Sequence, residues 1–436
     1  MAQEREAMKY RWSARTARRL LSGTLSGALF SASLFFVTGW ASLYASTHES
    51  PLAPKFSIPT EPLGYRAPGP IYTLVRLPFA TLNFLDADHL LFTFHQPRLM
   101  KRDEHESGSD QYVQAVVLEL PSGKETARTE WRLHDRNTYL WQLGDGRILL
   151  RQAEDLFTTD ASLKLTLLLH APSHLQQVQV SPDGKMLMVE MDAERHTPEE
   201  HARLRQRALD RGTNPPDEDV QIRMIDLGQR QLKLAAKSER PGPLPTNVEG
   251  FVTQVQTRPN HWELRFHPFE KPEKNGGDIV AQLMSSCPPQ TDFVNASTVL
   301  VLSACSTHAP DRQADAVGVD GKKLWTGRWR ADFAWPTIAA STGGSDFAIA
   351  WIAVDRPVAQ YDSFGDTEVR GQFVDVLDAK TGGLRLALLV QPIASAGENY
   401  ALSPDGNRLA VLNKGMIEVY DVPAAPPPPP AVAAKK

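Results

Sequence analysis

The chain has 436 residues, 42% hydrophobic and 22% charged, with a formal net charge of −4. That composition belongs to a globular chain able to bury a core. Residues 1–20 hold Arg5, Lys9, Arg11, Arg15, Arg18 and Arg19 against Glu4 and Glu6, so the remainder stands at about −8 and lacks the basic face that a nucleic-acid binder needs.

After the basic leader, Leu20 to Ser46 carries no charge. The run is long enough to span a bilayer, with the basic flank kept in the cytoplasm. Two readings stay open for residues 1–46. One is a signal peptide cut after Ala41, with Gly39 and Ala41 as the small residues at the cleavage site. The other is an uncleaved transmembrane anchor that makes the membrane a partner of the chain. Residues 47–70 contain Pro51, Pro54, Pro59, Pro62, Pro68 and Pro70 and read as a stiff, extended linker.

From residue 71 the pattern is β. Ile71 to Leu77 is a lone strand without a hairpin partner of its own. Seven inner hairpins follow, with second strands beginning near Leu90, Ile148, Met186, Trp262, Thr298, Phe347 and Leu409. Their spacing averages about 53 residues, a repeat lengthened by insertions. The connecting turns include Asp86-Ala87-Asp88, Gly144-Asp145-Gly146, Ser181-Pro182-Asp183-Gly184, Pro259-Asn260 and Ser403-Pro404-Asp405-Gly406. In the two Ser-Pro-Asp-Gly copies, Ser bonds back to the backbone, Pro pre-sets φ and Gly lets the chain reverse. Outer hairpins recur at Leu120 to Gly123, Asp160 to Ser162, Asp226 to Gly228, Asp320-Gly321 and Asp378 to Gly383.

The copies at 181–184 and 403–406, each followed by a short apolar strand, resemble the Ser-Pro-Asp-Gly repeats of WD40-like, TolB-like and YVTN-type β-propellers. No Trp is followed by Asp, so the resemblance lies outside the true WD40 repeats. Seven hairpins and one spare strand imply an all-β, seven-bladed β-propeller over residues 71–422, behind an N-terminal transmembrane or signal helix. The seventh unit stops at Asp421 after three strands. The strand at 71–77 is expected to supply its fourth and remove the open edge.

Three insertions interrupt the repeat. Residues 98–111 are polar. Residues 193–219 contain Thr197-Pro198-Glu199-Glu200, a helix start with Thr as N-cap, Pro in the first turn and Glu at the capping-box position. Residues 355–371 carry Asp362, Asp366 and Glu368, a binding loop whose oxygens suit calcium or a plain solvated acidic loop. The tail from Pro423 to Lys436, with Pro426 to Pro430, reads as polyproline II or disorder.

Cys287 and Cys305 are the two cysteines. Export permits a disulfide between them. Cys287 follows the fourth strand of blade four and Cys305 ends the second strand of blade five, so the antiparallel order brings both to one face. Two independent thiols are the alternative. His196 with His201, and His261 with His267, lack the tight grouping of a zinc site. Trp325, Trp329, Trp335 and Trp351 read as blade packing, and Asp86 and Asp88 as turn residues.

There is no Gly-x-Ser-x-Gly elbow, no phosphate loop and no dinucleotide fingerprint, so no cofactor is expected. These features point to an extracytoplasmic binding or assembly module of a bacterial cell envelope, facing the periplasm or released into it, with a protein partner there. The alternative is a lactonase-like propeller hydrolase, with a few inward acids and a metal in the central channel.

Overall fold

The computed structural model describes residues 52–66, 80–95, 110–133, 138–195, 197–210, 218–238, 242–270, 277–303, 311–358, 363–390 and 398–424. Among these, two turns show how the repeat is built. Gly184 N–H donates to the Ser181 carbonyl at 2.8 Å, and Gly406 N–H to the Ser403 carbonyl at 2.9 Å. Ser181 Oγ accepts from Met186 N–H at 2.9 Å and donates to Asp183 Oδ1 at 2.6 Å. Ser403 Oγ repeats this with Arg408 N–H and Asp405 Oδ1 at 2.9 and 2.6 Å. The glycines close the loops at φ +69° and +74°, a conformation costly for any side chain with a Cβ. Gly184 has a second reason to be glycine. A Cβ there would stand 2.0 Å from the Leu143 carbonyl oxygen of the neighbouring blade.

The strands form seven antiparallel sheets. After β1 (Phe56–Pro59), blade one holds β2 to β5 (Ala80–Phe84, His89–His95, Gln111–Glu119, Lys124–Leu133). Blade two holds β6 to β9 (Leu140–Gly144, Arg147–Gln152, Asp155–Thr159, Thr166–His170). Blade three holds β10 to β13 (Leu175–Val180, Met186–Arg195, Glu218–Asp226, Gln231–Ser238), with helix α1 (Pro198–Asp210) between β11 and β12. Blade four holds β14 to β16 (Gly250–Arg258, His261–Pro268, Asp278–Met284). Blade five holds β17 to β20 (Gln290–Phe293, Thr298–Ser303, Asp311–Gly318, Lys323–Arg330). Blade six holds β21 to β24 (Phe333–Ala340, Asp346–Val354, Val369–Asp378, Leu384–Val390), and blade seven β25 to β27 (Tyr400–Leu402, Arg408–Asn413, Met416–Asp421). The chain is a seven-bladed β-propeller.

Side-chain alternation turns each sheet into a two-sided wall. On β22, Phe347, Ile349 and Trp351 pack toward blade five against Leu300, Leu302 and Trp329. Ala348 and Ala350 pack the other way, with Tyr400, Leu409 and Val411 of blade seven. All nine residues of β22 are buried, which is why its sequence reads as an unbroken apolar run rather than an alternation.

The ring closes differently from the sequence expectation. The fourth strand of blade seven is β1, not Ile71–Leu77, a stretch that lies outside the described residues. Phe56, Ser57, Ile58 and Pro59 pair antiparallel with Val419, Glu418, Ile417 and Met416. Lys55 N–H extends the ladder to the Val419 carbonyl at 2.8 Å, and Thr60 anchors its far end on Gly415 through its N–H (3.0 Å) and Oγ1 (2.7 Å). The expected linker 47–70 therefore contains part of the propeller, whose boundary moves from 71 to about 55. The prolines misled because they punctuate this stretch. Pro54 precedes the strand and Pro59 ends it, and an edge strand tolerates Pro. Ile58 is 5% exposed and sits in one cluster with Ile417, Val419, Leu90 and Phe92, so the seam is as apolar as the other interfaces.

Blade four is the second departure. The Pro259-Asn260 turn joins the second and third strands rather than the first and second, and the inner position is taken by Gly242–Thr246. Leu244 N–H donates to Gln179 Oε1 of β10 at 3.2 Å. Val252 N–H donates to the Pro245 carbonyl at 2.9 Å. Asn247 Nδ2 then reaches the Ala296 carbonyl in the first turn of blade five at 2.6 Å. Pro243 and Pro245 remove two ladder donors, so only the bridge Thr246↔Phe251 forms. Cys287 still follows the fourth strand, β16, as expected.

Helix α1 begins as its capping box dictates. Thr197 Oγ1 accepts from Glu200 N–H at 3.3 Å, and Glu200 Oε2 accepts from Thr197 N–H at 3.0 Å. The gaps after β3, β11 and β22 all join a second strand to a third. Antiparallel order puts the starts of these connections on one face, the face from which the inner strands enter. The segment 1–46 and the tail from 425 lie outside the described residues, among which no helix is long and apolar enough to cross a membrane.

Ile58 tests the seam. Ile58→Ala is expected to destabilise the purified protein by about 2–4 kcal/mol, read by denaturant unfolding. The same change at Leu52, 51% exposed, should cost almost nothing.

Candidate functional site

Six of the seven blades send their inner strands to one cavity of about 240 Å³ on the propeller axis. Its polar lining comes from Asn83 on β2, Gln142 on β6, Ser181 after β10, Asp292 on β17, Thr342 after β21 and Tyr400 on β25. Trp141, Ile338 and Leu402 supply apolar wall. These residues lie toward the exit ends of the inner strands, beside the Ser-Pro-Asp-Gly turns. Several are held by the frame. Gln142 Nε2 donates to the Phe84 carbonyl at 2.7 Å, and the Tyr400 hydroxyl to the Thr337 carbonyl at 2.8 Å.

Two carboxyls stand near Tyr400, Asp292 in the cavity wall and Glu398 beside it in the chain. Burial raises Asp292 to about 6, although Gln290 Nε2 donates to it at 3.2 Å. Burial raises Glu398, just before β25, to about 7, with Thr138 Oγ1 donating at 3.1 Å. Both charges act on the Tyr400 hydroxyl, whose own ionisation burial pushes upward. At the entry end Thr81, Thr93 and Tyr139 form a chain of buried hydroxyls with spacings of 2.6 and 2.7 Å. The polar lining and the raised carboxyls give the cavity the chemistry to hold a small polar or cationic molecule.

The sequence pointed elsewhere. Glu368 accepts from Arg356 Nε and from Gly365 N–H, each at 2.6 Å, and these donors hold its carboxyl below the ordinary range. It is occupied within its own loop. Asp362 lies outside the described residues, and Asp366 opens a single turn of 3-10 helix (Asp366–Glu368). Among the described residues no three His, Cys, Asp or Glu gather as a metal site.

His261 and His267 share a face of β15 but stand about 20 Å apart at strand rise. His267 stacks on Phe251 at 4.8 Å and hydrogen-bonds Thr253 Oγ1 at 2.8 Å. His201 lies on α1, and His196 lies outside the described residues. Asp86 is a turn residue, accepting from the N–H groups of Asp88 and His89 at 2.7 and 2.8 Å. Trp329 and Trp351 pack between blades five and six, and Trp335 packs on Phe364 at 4.4 Å.

Asp292 and Glu398 were not singled out from sequence. Each is an isolated acid in the inner-strand segment of its own blade, and only ring closure brings both near Tyr400. The available signal was a charge at an inner-strand position, as in Gln290-Thr291-Asp292-Phe293.

Cys287 is 9% exposed; Cys305 lies outside the described residues. β17 and β18 pair Gln290↔Leu302 through Phe293↔Val299. We propose a disulfide between Cys287 and Cys305.

No protein-family model matches the chain, and no curated protein does. Many solved structures do, at low similarity. The chain is similar to Kuenenia stuttgartiensis hydrazine synthase at 12% identity and TM-score 0.39, over 79% of this chain and 96% of that one. It is similar to the Myceliophteria thermophila Cps50 (Swd1) β-propeller domain at 11% identity and TM-score 0.38, with the same two coverages of 79% and 96%. It also matches Pyrococcus horikoshii acylaminoacyl peptidase at 10% identity and TM-score 0.42, over 80% of this chain but 53% of that one.

Two outcomes follow. Because folding raises both channel carboxyls above their unfolded values, the folded state holds more protons than the unfolded state between about pH 4 and 7, and stability falls as pH rises through that window. Asp292→Asn should therefore stabilise the protein by about 1 kcal/mol at pH 7.5, with the gain vanishing near pH 4, as read from urea unfolding at both pH values. Intact mass after alkylation without reductant should show no label on either cysteine; two labels would exclude the disulfide.

Proposed function

We propose that the chain is a binding module of a bacterial cell envelope that recognises a small polar or cationic ligand on its axis and serves as an assembly surface for an envelope protein. The observation that carries the binding reading is the axial cavity. Six separate blades contribute to it, and its polar groups are fixed before any ligand arrives, which lowers the ordering cost of binding. The envelope location rests on the sequence alone: a basic leader, then 27 uncharged residues from Leu20 to Ser46, in signal-peptide or anchor form.

Fractionated envelope extract should raise the Tm of the wild type and leave that of Asn83→Ala/Gln142→Ala unmoved, while affinity capture on the wild type should recover an envelope protein. Failure of both arms would sink the reading. A stoichiometric metal in the purified protein, with turnover of a lactone or ester, would replace it with a hydrolytic propeller. A periplasmic reporter fused at residue 424 should be active; an inactive fusion would remove the location.

A further inference from the structure

A second cavity lies away from the axis, between blades five and six. Trp325, Trp329, Phe333, Phe347 and Trp351 wall it, and Asp375 points a carboxylate into it. Its free volume is about 20 Å³, room for one water-sized group. Alternation on β23 explains the exception. Phe373, Asp375 and Leu377 share the face toward blade five, so an acid occupies a position that its neighbours fill with apolar side chains.

Asp375 Oδ1 is buried without a hydrogen-bond partner, and so is Trp329 Nε1. Desolvation is the single cause that raises the Asp375 carboxyl, to about 7; no cation offsets it. The rings around it are well fixed. Trp325 stacks on Phe347 at 6.5 Å and 8°, and its Nε1 donates to the Ala379 carbonyl at 2.9 Å. Trp329 and Trp351 lie 4.9 Å apart, and Phe333 lies 6.1 Å from Trp351. Gly382, at φ +69°, lets the blade-six turn close over Trp325; a Cβ there would meet the indole at 2.6 Å.

On the adjoining strand β24 the same face of blade six is exposed. Asp375 pairs with Ala387 and Phe373 with Leu389, and Leu389 is 50% exposed. A carboxylate backed by aromatic faces, with an exposed leucine on the same face of the adjoining strand, is the complement of a cation carried on a hydrocarbon chain.

We propose that this cavity binds a primary alkylammonium group. The ammonium head sits against Asp375 Oδ1 and the ring faces, and its aliphatic stem lies over Leu389. The size of the cavity selects a bare –NH3⁺ over a quaternary ammonium. A single water, accepting from Trp329 Nε1 and hydrogen-bonded to Asp375, is the competing occupant, and it would leave Asp375 to be neutralised by a proton instead of an ammonium.

The test uses the full-length protein at mildly alkaline pH, with tryptophan fluorescence and Tm as readouts. Titrants are n-pentylammonium, cadaverine and Nα-acetyl-lysine methylamide, against n-pentanol as the neutral isostere. Saturable binding of the amines without binding of the alcohol is the expected result, and Asp375→Asn should weaken it about 30-fold. Preference for the lysine derivative assigns the site to a protein side chain, and preference for cadaverine to a free polyamine. Equal response to amine and alcohol, undiminished binding by Asp375→Asn, or no response to any amine (a water only) overturns the proposal. Should Asp375→Asn fold poorly, the amine-to-alcohol comparison on the wild type decides alone.

Discussion

The four-residue ladder between Phe56–Pro59 and Met416–Val419 holds the two ends of the propeller together. Without it, β27 would be an open edge with unpaired backbone groups. Once it forms, Lys55 and Asp421 sit 2.8 Å apart, and the ladder, Ile58 and the flanking Thr60 bonds reinforce the contact that β2 makes with β25 and β26. The inner strands face one another across a channel because the ring is shut, and Asp292 and Glu398 share an environment for the same reason.

A ring of apolar walls makes acids expensive, and this chain retains several. Burial raises Asp292, Glu398, Asp375 and Glu190, each to about 6 or 7. Glu190, on β11, has only the Gly242 N–H, at 3.2 Å, to set against that cost. By contrast, the buried Asp346 is paired with Arg385, whose Nε also holds the Pro423 carbonyl at 2.7 Å. The pair ties the end of blade seven to blade six, and the arginine has a structural task that explains the neighbouring acid. Asp375 has no such partner, which separates it from the acids that serve the frame.

Much of this architecture was legible in the residues. Six of the seven inner hairpins fall where turn chemistry and apolar runs placed them, because Ser, Asp, Asn and Gly at those positions act locally through their own side chains. The capping box of α1 was readable for the same reason. Two elements were hidden by proline. At 54–59 it looked like a spacer although it only flanks an edge strand. At 243 and 245 it erased the strand signal of a segment that fills an inner position without laddering. The channel carboxyls were hidden for a different cause. Their proximity arises from closure across residues hundreds of positions apart, and no local window contains that information.

The position of β1 has a temporal consequence. Its partner strand lies some 360 residues later, so the earliest part of the propeller to be synthesised must wait for the latest before it finds its place. Contacts of such long range form slowly. Until they do, blade seven and the waiting segment both present unpaired strand to their surroundings. For that interval the chain is an incomplete ring, open to association with its own copies.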